Sequence, residues 1–83
     1  MDESARRMIE FIEARLEDRE TRVELDTPLV SSGLVDSFAL VEVLTRLQEV
    51  TNRAIPNGRV APQDLETVAA MLKMATRFPE RKP

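Results

Sequence analysis

The sequence predicts an all-α protein, a small four-helix bundle with three longer helices, one short helical turn and a long first loop. Apolar residues recur at spacings of three and four along three stretches of the chain, which is the period of an amphipathic helix. Prolines and glycines separate these stretches, and 83 residues can bury one small core but not two. We therefore expect one domain over residues 1–78 and a frayed tail over residues 79–83.

The first predicted helix runs from Asp2 to about Arg19, with charged residues between the members of an apolar stripe. That stripe consists of Ala5, Met8, Ile9, Ile12 and Leu16. Residues 20–36 then show no sustained helical period, and Pro28 and Gly33 interrupt them. They are expected to form a long ordered loop, held in place by its own apolar residues, in which Gly33 supplies a positive φ.

The second predicted helix runs from Ser37 to about Thr51. One face of it carries an apolar stripe, formed by Leu40, Val43, Leu44, Leu47 and Val50. Phe38 and Val41 fall off this stripe, so we expect them to be exposed beside the start of the helix. An alternative places both residues at the edge of the core.

The last third of the chain predicts a connection over residues 52–61, a short helical turn and a final helix. Pro62 suits the first position of the short turn. Thr67 is the expected cap of the final helix, which spans roughly Val68 to Thr76. The predicted core joins two residues from each longer helix, namely Ile12 and Leu16, Leu44 and Leu47, and Val68 and Leu72.

The composition argues against an enzyme that works alone. The chain contains no cysteine and no histidine, which removes thiolate nucleophiles, the commonest general base and the commonest metal ligand. We expect no catalytic residue and no metal site in this polypeptide.

The charge distribution argues against a nucleic-acid partner. Residues 26–66 hold six acidic and three basic residues, and the chain has no Trp and no Tyr to stack on bases. No apolar run is long enough to cross a bilayer, and the N-terminus does not resemble a signal peptide. We therefore expect a cytoplasmic protein that does not insert into membranes, with a monomer as the simplest state.

Ser37 lies at the predicted junction between the long loop and the second helix, directly after Asp36. Short polar side chains are favoured there because they accept hydrogen bonds from the first unpaired N–H groups of a helix. The same helix end would also tolerate a phosphate attached to the serine. A structural cap and a modification site are thus both open for Ser37.

Several stretches along the chain together match a known pattern. They are Leu29 with Gly33-Leu34, Asp36-Ser37-Phe38, Val41-Glu42, Ile55-Pro56, and Pro62 to Val68 with its Thr67-Val68 pair. On these residues nearly the whole chain resembles the acyl carrier protein family, with Phe38 where a Leu is usual. The stretch from Gly33 to Phe38 looks particularly like D-alanyl carrier proteins and other discrete carriers of amino acids or unusual starter acids.

The resemblance implies that Ser37 receives 4′-phosphopantetheine from coenzyme A and carries an acyl or aminoacyl group on it as a thioester. The implied partners are a phosphopantetheinyl transferase, an acyl- or aminoacyl-activating ligase and downstream acyl-accepting enzymes. Ser31 and Ser32 are competing attachment sites, although both lie in the middle of the loop. The alternative function is a non-catalytic helical interaction module in which Ser37 is only a helix cap.

Partner recognition is expected along the exposed side of the second helix. Asp36, Glu42 and Glu49 would form an acidic strip that attracts enzymes with basic entrances. Arg46 interrupts the strip, which favours a dedicated ligase that also uses Phe38 and Val41 over the enzymes of fatty acid synthesis. In the alternative, Arg46 merely pairs with Glu42 or Glu49 on a solvated face. Alanine, another amino acid, a β-amino acid and a plain acyl chain all stay open as cargo.

Overall fold

Three α-helices form the bundle in the computed structural model, which describes residues 2–18 and 20–81. They are α1 (Glu3–Arg15), α2 (Ser37–Thr51) and α3 (Val68–Ala75). Two short 3-10 segments, Asn57–Arg59 and Pro62–Leu65, lie between α2 and α3. The described residues contain no β-strand, only an isolated bridge between Arg53 and Glu80. The all-α class is confirmed, and the short helical turn predicted to begin at Pro62 is a 3-10 segment.

Helix α1 is shorter than the sequence predicts. It ends at Arg15, because Leu16 has extended backbone angles, with φ −82° and ψ 142°. The carboxylate of Glu13 accepts a hydrogen bond of 2.7 Å from the Val23 N–H group, so the chain turns back along the helix instead of extending it. The predicted end near Arg19 is therefore wrong, and Arg19 itself lies outside the described residues.

Helix α2 has the bounds that the sequence predicts, and its faces are assigned correctly. Its predicted stripe faces the core, with Val43, Leu44 and Leu47 buried and the other two members half-buried. Phe38 is 80% exposed and Val41 is 55% exposed. Both residues therefore belong to the surface beside the helix start, and the alternative that places them at the core edge is wrong.

Helix α3 begins where the sequence predicts, since the Thr67 side chain accepts a hydrogen bond from the Ala70 N–H group at 3.0 Å. Its buried face differs from the prediction. Met71 and Met74 are buried to 0% and 2% exposure, whereas Leu72 is only half-buried. Because the helix turns by about 100° per residue, a shift of one position moves the core face from Leu72 to Met71.

The hydrophobic core lies where all three α-helices pack against one another. Four of the predicted core residues, Ile12, Leu44, Leu47 and Val68, are buried. Leu16 lies beyond the end of α1 and is half-buried against the core. The connections also contribute buried side chains, which are Val23, Leu29, Val35, Ile55 and Leu65. The expectation that the long loop is held by its own apolar residues is thus confirmed.

The C-terminal segment is bound to the connection that follows α2. The Ala54 N–H group donates to the Pro79 carbonyl at 3.1 Å, and the Arg81 N–H group donates to the Asn52 carbonyl at 2.9 Å. The prediction of a frayed tail is therefore wrong for residues 79–81, because backbone pairing with residues 52–54 holds them. Residues 82 and 83 lie outside the described residues.

Leu47 provides a test of the core. Its side chain is 0% exposed, so replacing it with alanine leaves a cavity between the helices, and we expect the Leu47→Ala variant to lose about 2 to 5 kcal/mol of unfolding free energy. Urea unfolding followed by circular dichroism measures this loss. Leu72→Ala is the matched control and should lose less, because Leu72 is only half-buried. Equal losses in the two variants would contradict the assigned packing.

Candidate functional site

The junction between the long loop and α2 exposes the Ser37 hydroxyl. Asp36 is the N-cap of α2, and its carboxylate accepts a hydrogen bond from the Ala39 N–H group at 2.8 Å. Ser37 is exposed in the first position of the helix, and nothing within residues 2–18 and 20–81 hydrogen-bonds to its hydroxyl. The alternative in which Ser37 is the helix cap is therefore wrong. Asp36 takes the capping role and leaves the hydroxyl available for reaction.

The two other serines of this region are engaged within the loop. The Ser32 hydroxyl donates to the Pro28 carbonyl at 2.6 Å and accepts from the Leu34 N–H group at 3.3 Å. Ser31 donates its backbone N–H group to the Glu66 carboxylate at 3.0 Å. A partner enzyme would have to break the hydrogen bonds of the Ser32 hydroxyl before it could modify that side chain.

Glu66 binds the loop through three consecutive backbone N–H groups. One oxygen of its carboxylate accepts hydrogen bonds from Leu29 at 3.0 Å, Val30 at 2.8 Å and Ser31 at 3.0 Å. The Leu29 N–H group also donates to the Glu66 carbonyl at 2.8 Å. These donors, that of Ser31 first, lower the pKa of Glu66 because they stabilise its charged form.

The rest of the loop returns to the same point. The Val35 N–H group donates to the Leu29 carbonyl at 2.9 Å, and both side chains are buried. Gly33 has a φ of +81°, as the sequence predicts, and its N–H group donates to the Val30 carbonyl at 3.1 Å. Residues 29–35 thus form a closed loop whose last residue directly precedes Asp36.

Two clefts flank the start of α2. The wider cleft, of about 530 Å³, lies between the end of α1, the loop and the first turn of α2, and Asp36 and Phe38 are part of its lining. The narrower cleft, of about 190 Å³, lies between α2 and the 3-10 segments. Val41 lines this cleft with apolar neighbours, which include Leu40, Leu44, Val60 and Leu65. Phe38 and Val41 therefore border different clefts.

The charged residues predicted for recognition do not form a continuous acidic strip. Glu42 forms an ion pair with Arg15 of α1, which offsets its charge. Arg46 lies 3.8 Å from the Glu49 carboxylate and its guanidinium stacks over the Phe11 ring, 4.9 Å from the ring centre. Arg46 therefore pairs with Glu49 and not with Glu42, so the structure connects this side of α2 to α1.

The described residues offer neither a metal site nor a membrane-spanning helix. No group of three or more acidic side chains in residues 2–18 and 20–81 is arranged to hold a metal ion. None of the described helices combines the length and apolar character needed to cross a membrane.

A comparison with known proteins identifies the family. The sequence is 33% identical over 60 residues to a protein named D-alanyl carrier protein from Abiotrophia defectiva, and the match covers 72% of this chain and 76% of that relative. This chain belongs to the acyl carrier protein family. As a carrier protein it is not itself an enzyme. No protein-family model and no solved structure matches the sequence.

Glu66 is the residue of this carrier that sequence reasoning missed. It precedes Thr67, the cap of α3, and no pattern in the surrounding sequence marks it as an acceptor for the loop. The loop residues that it binds lie 35 to 37 positions earlier in the chain. The sequence could indicate only that a long loop needs acceptors for its backbone N–H groups. That need does not identify which carboxylate supplies them.

The lowered pKa of Glu66 predicts a pH dependence of stability. A group whose pKa is lower in the folded chain contributes fully above its unfolded pKa, and the contribution is lost as the pH falls through the folded pKa. We expect Glu66→Gln to destabilise the carrier at about pH 7, and its difference from the wild type should shrink as the pH is lowered from there towards about pH 3. Urea unfolding midpoints of both proteins across this range measure the effect.

Glu24→Gln is the matched control for this measurement. Glu24 lies in the same long loop, and its side chain makes no hydrogen bond or ion pair within the described part of the chain. We expect its substitution to leave the unfolding midpoint nearly unchanged at both ends of the pH range. A Glu66→Gln effect of equal size at neutral and acidic pH would rule out the charge of Glu66 as its cause.

Proposed function

We propose that this carrier holds an acyl or aminoacyl group as a thioester on 4′-phosphopantetheine attached to Ser37. The observation that supports this proposal is the exposed Ser37 hydroxyl. It is not used to cap α2, because the Asp36 carboxylate takes that role. The bound group would supply a thiol on a long flexible arm, which a chain without cysteine cannot provide itself. The chain's own part is to present the serine and to be recognised.

In the attachment reaction, the Ser37 oxygen forms a bond to the phosphorus of coenzyme A that bears the pantetheine. The bond from this phosphorus to the bridging oxygen of the pyrophosphate breaks, and adenosine 3′,5′-bisphosphate leaves. The transferase would remove the hydroxyl proton, because the carrier has no histidine and the Asp36 carboxylate is engaged as the cap. The positive end of the α2 dipole would favour the resulting phosphodiester charge at Ser37.

The proposed partners are a phosphopantetheinyl transferase, an acyl- or aminoacyl-activating ligase and downstream enzymes that accept the cargo. The relative is named a D-alanyl carrier protein, so D-alanine is the first cargo to test. The cytoplasmic location and the monomeric state stay predictions from the sequence.

The surface proposed for recognition combines exposed apolar side chains at the start of α2 with charged side chains before and along the helix. Phe38 and Val41 supply the apolar part, since both are exposed within one turn of Ser37. Asp36 and Glu49 remain exposed and acidic. Glu42 and Arg46, which contact residues of α1, are more suited to fixing the orientation of α2 than to steering a partner.

The attachment site can be tested by intact mass. Incubation with coenzyme A and a promiscuous phosphopantetheinyl transferase should add one phosphopantetheine to the wild-type protein and none to Ser37→Ala. Because Asp36 rather than Ser37 caps α2, the variant should keep its helical circular dichroism and its melting temperature. Ser31→Ala and Ser32→Ala are matched controls and should be modified like the wild type. Modification of Ser37→Ala would show that the attachment site is elsewhere, and no modification of the wild type would refute the proposed function.

The apolar part of the recognition surface can be tested with Phe38→Ala. Phe38 is 80% exposed, so its removal should leave stability unchanged and raise the KM of the loading ligase for the carrier. Loading is measured as ATP-dependent charging of the modified carrier, with D-alanine as the first substrate. Leu25→Ala is the control, because Leu25 is also exposed but lies beside the start of α3. Equal KM values for all three proteins would place the ligase contact elsewhere.

The charged part can be tested with Glu49→Lys. We expect slower loading at low salt and a smaller defect as salt is raised, because such steering is screened over about 8 to 10 Å at moderate ionic strength. Glu49 is the better position for this test, since Glu49→Lys would lose only the 3.8 Å pair with Arg46 within α2, whereas Glu42→Lys would break the ion pair that joins α2 to Arg15 of α1. A defect that does not change with salt would argue against steering.

A further inference from the structure

We propose that Glu66 is a positioning residue for the attachment reaction, because it fixes the loop that presents Ser37 to the transferase. This inference rests on the proposed function of Ser37. Glu66 does not touch the serine, and its role is to hold residues 29–31, from which the loop closes onto the start of α2.

The contacts form a continuous path from Glu66 to the helix start. The carboxylate binds the N–H groups of residues 29–31, and the Glu66 carbonyl binds Leu29 a second time. The Leu29 carbonyl then accepts a hydrogen bond from Val35 at 2.9 Å. Val35 is followed by Asp36, whose cap fixes the first turn of α2 and with it Ser37. Apart from the peptide bond between Val35 and Asp36, each step of the path is a hydrogen bond donated by a backbone N–H group.

Glu66 itself is held firmly, which a positioning residue requires. Leu65 on one side is buried in the core, and Thr67 on the other side caps α3. The Leu25 carbonyl, earlier in the long loop, also accepts a hydrogen bond from Ala69 in the first turn of α3. The loop is thus attached to the start of α3 at two places, and the contacts of Glu66 are those nearest to Ser37 along the chain.

A carboxylate suits this position for an electrostatic reason. Three N–H dipoles converge on one oxygen at 2.8 to 3.0 Å, and a negative charge is the acceptor that such a cluster favours. A glutamine keeps an acceptor oxygen but loses the charge. An alanine removes the acceptor. The N–H groups of residues 29–31 would then have to hydrogen-bond to water instead of the carboxylate, and the closed loop would become more mobile.

The transfer reaction is sensitive to such loosening because the Ser37 oxygen must approach the phosphorus opposite the leaving oxygen. A displacement of about 1 Å at a reacting atom can reduce a rate by as much as a hundredfold. A loosened loop lets the start of α2 sample more orientations, so fewer enzyme-bound carriers have the serine in place. The expected effect therefore falls mainly on kcat.

The test measures phosphopantetheine transfer from coenzyme A to wild type, Glu66→Gln, Glu66→Ala and the control Glu24→Gln, at a temperature where all four are folded. Initial rates over a range of carrier concentrations give kcat and KM separately. Amide hydrogen exchange, which does not depend on the transferase, reports on residues 29–31 and on the buried part of α1. Intact mass of the wild type and of Ser37→Ala confirms beforehand that the modification occurs and that it needs Ser37.

We expect Glu66→Ala to lose about tenfold or more in kcat with a smaller change in KM, and Glu66→Gln to lie between it and the wild type. Glu24→Gln should match the wild type. Exchange should rise at residues 29–31 in Glu66→Ala, while the α1 core amides stay protected.

Two results would overturn the inference while the proposed function stands. One is a wild-type kcat in Glu66→Ala despite faster exchange at residues 29–31, which would show that the loop need not be fixed. The other is a rate loss accompanied by equally faster exchange in α1, which would assign the loss to global unfolding. A wild type that is not modified would instead refute the proposed function.

Discussion

The hydrogen bonds from residues 29–31 to the Glu66 carboxylate constrain the part of the molecule that has the least regular structure of its own. The described residues between α1 and α2 belong to no helix, so their backbone polar groups need partners from elsewhere in the chain. Buried side chains such as Leu29 and Val35 attach this segment to the core, but apolar contacts do not satisfy N–H groups. Glu66 supplies both the acceptor and a fixed point beside α3.

At the start of α2, one residue caps the helix and its neighbour presents an exposed hydroxyl. Asp36 caps the helix, and Ser37 stays exposed with its hydroxyl free of contacts to the described residues. Because the cap belongs to its neighbour, modification of Ser37 need not disturb the helix. Further along α2, Glu42 and Arg46 join this helix to α1 through Arg15 and Phe11.

Local patterns in the sequence were sufficient for most of the architecture. Helical periodicity and capping depend on residues three or four positions apart, so the starts of α2 and α3 and the buried face of α2 could be predicted. The same reasoning placed Ser37 at a helix start and a positive φ at Gly33. It also assigned Phe38 to the surface beside the serine.

Contacts between distant parts of the chain were decided only by the tertiary structure. Glu66 meets the loop across 35 to 37 positions, and Arg15 meets Glu42 across 27, and no local pattern distinguishes these charged residues from their neighbours. The early end of α1 and the pairing of residues 79–81 have the same origin, because each depends on a hydrogen bond to a distant segment. The sequence by itself determined the helices and the exposed serine, since both follow from near neighbours. The tertiary structure determined how the loop beside that serine is held, since its acceptor comes from a residue 35 to 37 positions further along the chain.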